Sequence, residues 1–194
     1  MTLRGTPFIY EGEELGLTNV AWKSIDSYND ISSQGQYDFA IKEGFTDEQA
    51  MEFVHFFSRD NARTPMQWNG SNNAGFSTAK KTWLPVNENY KTVNAAEEEK
   101  NPDSVLAWYK KLSKFRQENQ VLTAGDYELL MPDSEEIFAF ARTFDGKTFL
   151  TFANFSSDNV PLPKNFSYKK ILLDSEKEFD KNFLKPLEAR ICEK

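Results

Sequence analysis

The hydrophobic period of this chain changes at Gly125, and that change constrains the fold more than any other feature. Before it, Val105, Leu106, Trp108, Tyr109, Leu112 and Phe115 recur at helical spacing, with Lys110, Lys111 and Lys114 toward the end where a helix dipole is negative. Asn101 and Pro102 fit the cap and first position of this helix, expected over 102–119. Beyond Gly125 the period is two: Ile137, Ala139 and Ala141 alternate with Phe138, Phe140 and Arg142. Asp145-Gly146 signals a type I′ hairpin, and residues 148–155 return as the partner strand. Shorter strands are expected at 127–130, 159–162, 168–174 and 186–192. Residues 121–194 thus read as a small antiparallel β domain.

The earlier residues are less regular. Thr6-Pro7-Phe8-Ile9-Tyr10 is short, apolar and ends near Gly12, which reads as a buried strand running into a tight turn. Nothing nearby alternates well enough to pair with it. Residues 17–45 are polar and turn-rich, a long excursion with one short helix. Thr46 then opens a clear helix: Gln49 stands three positions on, as a capping box requires, and Asp47 and Glu48 suit the positive end of the dipole. Phe53, Val54, Phe56 and Phe57 form its expected apolar face, and His55 among them reads as a packed helix residue. Residues 69–100 are irregular and end in a solvated Glu97-Glu98-Glu99 run.

Composition removes most ready-made chemistries. The net charge of −7 argues against a nucleic-acid or anionic-membrane surface, since both need clustered Lys and Arg. No long apolar run and no basic-then-apolar leader is present, so no membrane partner is expected. One cysteine, Cys192, makes no internal disulfide and is compatible with a reducing cytoplasm. With His55 it builds neither a zinc site nor a nucleophile–base pair, so no metal and no cofactor is expected.

Residues 59–68, Arg-Asp-Asn-Ala-Arg-Thr-Pro-Met-Gln-Trp, concentrate two guanidinium groups, a carboxylate, an amide and an indole. A guanidinium fork holds a carboxylate in a fixed plane, and Pro65 pushes Thr64 out of the helical region, so the chain turns here. The plain alternative is a solvated helix end with a local Arg–Asp pair.

Taken with residues 4–16 (Arg-Gly-Thr-Pro-Phe-Ile-Tyr-Glu-Gly-Glu-Glu-Leu-Gly), Asn73-Ala74-Gly75-Phe76 and Leu187-Glu188-Ala189-Arg190, this stretch resembles the C-terminal portion of an α-amylase-superfamily (glycoside hydrolase family 13) α-glucosidase. The similarity is greatest to the oligo-1,6-glucosidase, dextran glucosidase and trehalose-6-phosphate hydrolase group. Glu11 stands where that group usually has Gln, and Phe8 where it has Tyr. The resemblance implies an α+β chain: residues 1–120 as the last strand (6–10), site loop and last helix of a (β/α)8 barrel, and 121–194 as an appended, sandwich-like antiparallel domain. It also implies that the catalytic carboxylates follow barrel strands four, five and seven, none of them in this chain. The expectation is therefore a fragment, from a truncated reading frame or a deliberate cut, inactive alone toward α-1,6 or related glucosidic bonds.

The same resemblance places Arg63 in the deepest sugar subsite, although it could instead only brace the loop against Asp60. Arg59 and Asp60 either meet sugar or staple the loop. Glu13 either meets sugar beyond the cleavage point or is a turn carboxylate facing water, and Trp68 and Phe76 are sugar platforms or packing anchors. The implied partners are α-glucoside oligosaccharides in the full-length parent, the N-terminal part of the barrel, and a second chain paired through the strand at 6–10. A non-catalytic carbohydrate-binding or interaction β domain is the alternative function.

Overall fold

Asp145 and Gly146 both take positive φ, 49° and 73°, so the hairpin they close has the twist that joins two antiparallel strands directly. The computed structural model describes residues 1–162 and 166–194. These group into two units, Met1–Pro7 with Leu112–Lys194, and Phe8–Lys111.

The first unit contains all the strands among the described residues: β1 (Asp126–Leu130), β2 (Ile137–Phe144), β3 (Lys147–Asn154), β4 (Val160–Pro161), β5 (Lys170–Asp174), β6 (Phe183–Leu184) and β7 (Ala189–Glu193). Five of them form an antiparallel sheet in the order β1-β2-β3-β7-β5, with Phe144 opposite Lys147 at the hairpin. β4 and β6 make a separate two-stranded ribbon. Ile137, Ala139, Ala141, Leu150, Phe152 and Cys192 pack from the sheet against Val160 and Leu184 of that ribbon. The opposite face is also covered. Val121 and Leu122 of the short helix Gln120–Thr123 pack with Phe149 and Ile191, and Phe115 stacks on Phe149 at 5.8 Å between centroids. Both faces being covered explains why β2 buries its alternate residues Phe140 and Arg142 as well.

Three buried arginines are satisfied in different ways. Arg142 donates to the carbonyls of Asp126 (3.1 Å), Gly125 (2.8 Å) and Thr2 (2.9 Å); burial, with Arg116 and Arg4 nearby, lowers its pKa. Arg116 donates to the carbonyls of Met1, Leu3 and Gly5 at 2.6, 3.0 and 2.5 Å. Arg190 instead meets two carboxylates, Asp174 at 2.7 Å and Glu188 at 2.5 Å, with all three groups buried.

The second unit contains no strand among its described residues. The expected strand at 6–10 is therefore a correction: these residues form no ladder with any described segment, and Phe8 is 92% exposed. A strand exists by its ladder, and among the described residues no second strand lies beside this segment. The unit is built from α1 (Ile31–Lys42), α2 (Asp47–Phe57), α3 (Ala95–Lys100), the first half of α4 (Val105–Glu118) and linking 3-10 turns. The Thr46–Gln49 capping box forms with both reciprocal bonds. However, of the expected face of α2 only Val54 is buried, beside Ala50 and Met51, while Phe53, Phe56 and Phe57 are exposed. Val54 and Met51 pack with Val20, Trp22, Tyr28 and Leu84, and His55 Nε2 lies 3.0 Å from the Trp22 carbonyl, as a packed helix residue should.

Two further elements correct the sequence reading. The acidic run at 97–99 is helical, in α3, because the Asn94 side chain accepts the Glu97 N–H while the carbonyls of Gln67 and Trp68 accept those of Ala95 and Ala96. The last helix starts at Val105, not 102. Ser104 Oγ, rather than Asn101, accepts from its first turn, at the Ala107 N–H.

Candidate functional site

Glu13 and Glu14 open a 3-10 turn, Glu13–Leu15, which starts at Gly12 with φ 101°, a conformation that a side chain at this position would strain. The Glu14 carboxylate accepts the Gly12 N–H at 2.8 Å and fixes the turn. Glu13 points elsewhere: its Oε1 accepts from the Tyr109 hydroxyl at 3.1 Å, and burial together with that bond raises the tyrosine pKa.

This turn forms one wall of a cleft of about 380 Å³, within the ordinary size of small-molecule sites. Tyr10, Glu11, Thr18, Asn19, Asn61, Ala62, Thr64 and Phe76 line it together with Glu13. The walls are held together by polar bonds. The Tyr10 hydroxyl donates to the Ala62 carbonyl at 2.6 Å, and Asn61 both accepts from the Val20 N–H (3.0 Å) and donates to the His55 carbonyl (3.0 Å). Asn19 reaches the His55 and Phe56 carbonyls at the end of α2.

The loop after α2 is organised around Asp60, which is wholly buried. Its Oδ2 accepts the N–H groups of Asn29 (2.6 Å) and Asp30 (2.9 Å), and its Oδ1 accepts from Arg63 Nη1 at 3.1 Å. Asp60 is thus committed to protein groups on both oxygens. The Arg63 side chain remains 40% exposed, so the pair aims the guanidinium without enclosing it. Arg59 faces a different partner. Its Nε and Nη2 donate to Asp30 Oδ1 at 3.0 and 2.6 Å, while its side chain is 63% exposed. Asp30 also caps α1, accepting from Ser32 N and Ser33 Oγ. The Arg59 guanidinium holds the Asp30 carboxyl well below the usual carboxylate range, burial opposing it and Ser33 assisting.

The structure therefore sorts the four residues named from the sequence. Asp60 and Arg63 are together, Arg59 is paired to Asp30, and Glu13 alone of the four lines the cleft. Asp30, Asn61, Tyr10 and Tyr109 were missed. Asp30 carried a signal in the Asp-Ile step that opens a helix, and Asn61 stood inside the motif itself. Tyr109 carried none, because its partner lies 96 residues away. Among the described residues no cluster of His, Cys, Asp and Glu is arranged to hold a metal ion. No helix among them is long and apolar enough to cross a membrane. Cys192 is buried and its thiol is pushed up to about 12, chiefly by that burial, which leaves it unreactive.

Residues 1–125 match the family of the alpha amylase catalytic domain. The chain is 41% identical over 174 residues to an oligo-1,6-glucosidase of Bacillus cereus, covering 88% of this chain and 31% of the relative. It is 40% identical over 190 residues to a glucan 1,6-alpha-glucosidase of Streptococcus pneumoniae, covering 96% and 35%. In three dimensions it matches the trehalose-6-phosphate hydrolase of Bacillus licheniformis with a TM-score of 0.90 at 36% identity, over 99% of this chain and 36% of that one. The chain spans about a third of the length of the relatives it matches.

Proposed function

The chain belongs to the alpha-amylase catalytic-domain family, and on that premise we propose that it supplies sugar-contacting loops to a retaining α-glucosidase acting on α-1,6 or related bonds of short oligosaccharides. The observation that carries this reading is the fixed but open Arg63. Asp60, anchored by two backbone N–H groups, holds one edge of the guanidinium and leaves the rest to solvent, as a sugar-hydroxyl donor requires. The bond type follows the two 1,6-glucosidases that are about 40% identical over most of the chain. On this reading Arg63 and Glu13 meet sugar, while Asp60 and Arg59 hold the loop.

Retention needs a nucleophile and an acid flanking the scissile bond. None of this chain's acidic residues stands in the family's motif for either, so we assign both to a barrel portion outside this sequence. Residues 1–120 then complete that barrel, with 6–10 as its last strand, and 121–194 form the appended β domain. The same reading makes the rest of the barrel the partner of this chain. A cytoplasmic setting fits a chain whose only cysteine is buried and unpaired.

The test is hydrolysis of p-nitrophenyl α-glucoside and of isomaltose. The chain alone is expected to match buffer. Co-expressed with the amino-terminal two thirds of a 1,6-glucosidase relative, it is expected to release glucose with retained configuration. Turnover by the chain alone, abolished by changing one of its own carboxylates, would overturn the assignment.

A further inference from the structure

The segment before Phe76 adopts a costly conformation. Asn73, Ala74 and Gly75 take φ of 51°, 56° and 70°, three consecutive residues in the left-handed region. Only Gly75 enters it without steric cost, and Ala74 has neither glycine's freedom nor asparagine's local hydrogen bonding to offset it. The turn is nevertheless locked. The Ala74 carbonyl accepts the N–H groups of Trp68 (2.9 Å) and Asn69 (3.1 Å), and Asn73 Nδ2 reaches the carbonyls of Ser77 and Ala79 at 3.2 and 2.7 Å. A Cβ on Gly75 would overlap the Asn69 side-chain amide, and its φ of 70° would strain any residue with a side chain. Strain of this kind persists only where the surroundings over-determine it, and it collects at ligand clamps.

The residue so delivered is Phe76. It lines the cleft that holds Glu13, yet it is 52% exposed and lies outside the hydrophobic cluster of its unit. Within this chain it therefore anchors no core. A half-open ring in a cleft with a hydrogen-bonding carboxylate instead suits a pyranose, whose C–H face stacks on an aromatic while its hydroxyls are bonded from the side. Tyr109 occupies Glu13 Oε1 and so orients that carboxylate.

We propose that Phe76 is the stacking platform for a glucosyl ring in this cleft, with the left-handed Asn73-Ala74-Gly75 turn as its mount and Tyr109 as the positioning residue for Glu13. This deepens the proposed function and rests on it only in taking the ligand to be a glucoside.

Saturation-transfer NMR of the whole chain with millimolar isomaltose, glycerol serving as a non-ring control, tests the idea. Wild type is expected to saturate the sugar C–H protons and not glycerol. Phe76→Ala should weaken binding about tenfold, and Phe76→Trp should restore it. Gly75→Ala should lose binding with Phe76 still present. Circular dichroism checks that each variant stays folded, which a half-exposed ring makes the expected result for Phe76→Ala. Equal affinity of Phe76→Ala and wild type would overturn the platform, as would absence of isomaltose binding by the wild-type chain. Neither result touches the hydrolysis and retention assay on which the glucosidase reading stands.

Discussion

The unit of Met1–Pro7 and Leu112–Lys194 satisfies its backbone with strand ladders, and its core of Ile137, Ala139, Leu150, Phe152, Val160 and Leu184 is continuous and apolar. The unit Phe8–Lys111 has helices and turns but no ladder, and side chains tie its irregular segments together: Asp30, Asp60, Asn61, Asn87, Asn94 and Gln67 each bond main-chain groups of another segment or cap a turn. It also leaves Phe8, Phe39, Phe56, Phe57 and Trp83 more than half exposed, whereas most large apolar groups of the sheet unit are covered. A ladder is repetitive and tolerant, because losing one side chain leaves the pairing intact. A set of single staples is specific and brittle, because each removes a buried donor or acceptor that nothing else can satisfy.

Hydrogen exchange on the whole chain should show this contrast most strongly. Amides of β2 and β3 are expected to be protected by orders of magnitude more than those of residues 17–30 and 59–94. Equal protection in both units would erase the comparison.

The next largest effect is expected inside the sheet unit, at its buried ion cluster. Asp174→Ala leaves Arg190 buried beside Glu188 alone and should cost about 3–5 kcal/mol, read from denaturant melts followed by exchange of β7 amides. A change under about 1 kcal/mol would mean that the sheet tolerates the loss of an ion partner as well as it tolerates ordinary substitution.

In the loop unit, Asp60→Ala strips the acceptor from the N–H groups of Asn29 and of buried Asp30 and from Arg63, with an expected cost of about 2–4 kcal/mol. Near-ultraviolet dichroism of buried Trp22 should report it while exchange in β2 and β3 is unchanged. Loss of protection in both units together would show that they do not open separately. Acid should act on the same loop. The folded Asp30 carboxyl lies below its unfolded value of about 3.9, so its stabilisation is complete above about pH 4 and is lost as pH falls through the folded pKa. Exposure of Arg59 makes this contribution salt-sensitive, and Asp30→Asn should flatten the pH dependence.

The smallest effect tests a purely local device. Thr46→Ala removes one half of the capping box of α2 and should cost about 1 kcal/mol, confined to the loop unit.

That device was also the most legible in the sequence, for the same reason: Thr46 and Gln49 are three residues apart and their bonds need nothing else. Asp145-Gly146 and the strands around it were legible on similar grounds, since a hairpin joins neighbours. Legibility fails where partners are distant. The apolar run at 6–10 promised a strand, but a strand needs a second backbone. The Phe-rich face of α2 was read from apolarity alone, and Ala50 and Met51 are buried instead because Val20, Trp22 and Leu84 lie on their side. Residues 59–68 announced charged pairing, yet only coordinates show that Arg59 pairs with Asp30 and not with its neighbour Asp60. The left-handed turn at 73–75 left no trace beyond Gly75, because an alanine in that region contradicts local preference.

Arg116 and Arg142 clasp the carbonyls of Met1, Thr2, Leu3 and Gly5, as many as 140 positions away in sequence. The sheet unit is therefore a host whose sequence is interrupted by the whole of Phe8–Lys111. During synthesis residues 1–5 leave the ribosome long before the arginines that will hold them, and those bonds wait until β2 has been made. The entropic cost of that long closure grows only as the logarithm of its length, so the delay, rather than the free energy, is the burden. A permuted chain that carries residues 1–7 after residue 194, joined by a linker long enough to reach their docking site, would let the host finish folding as one continuous stretch.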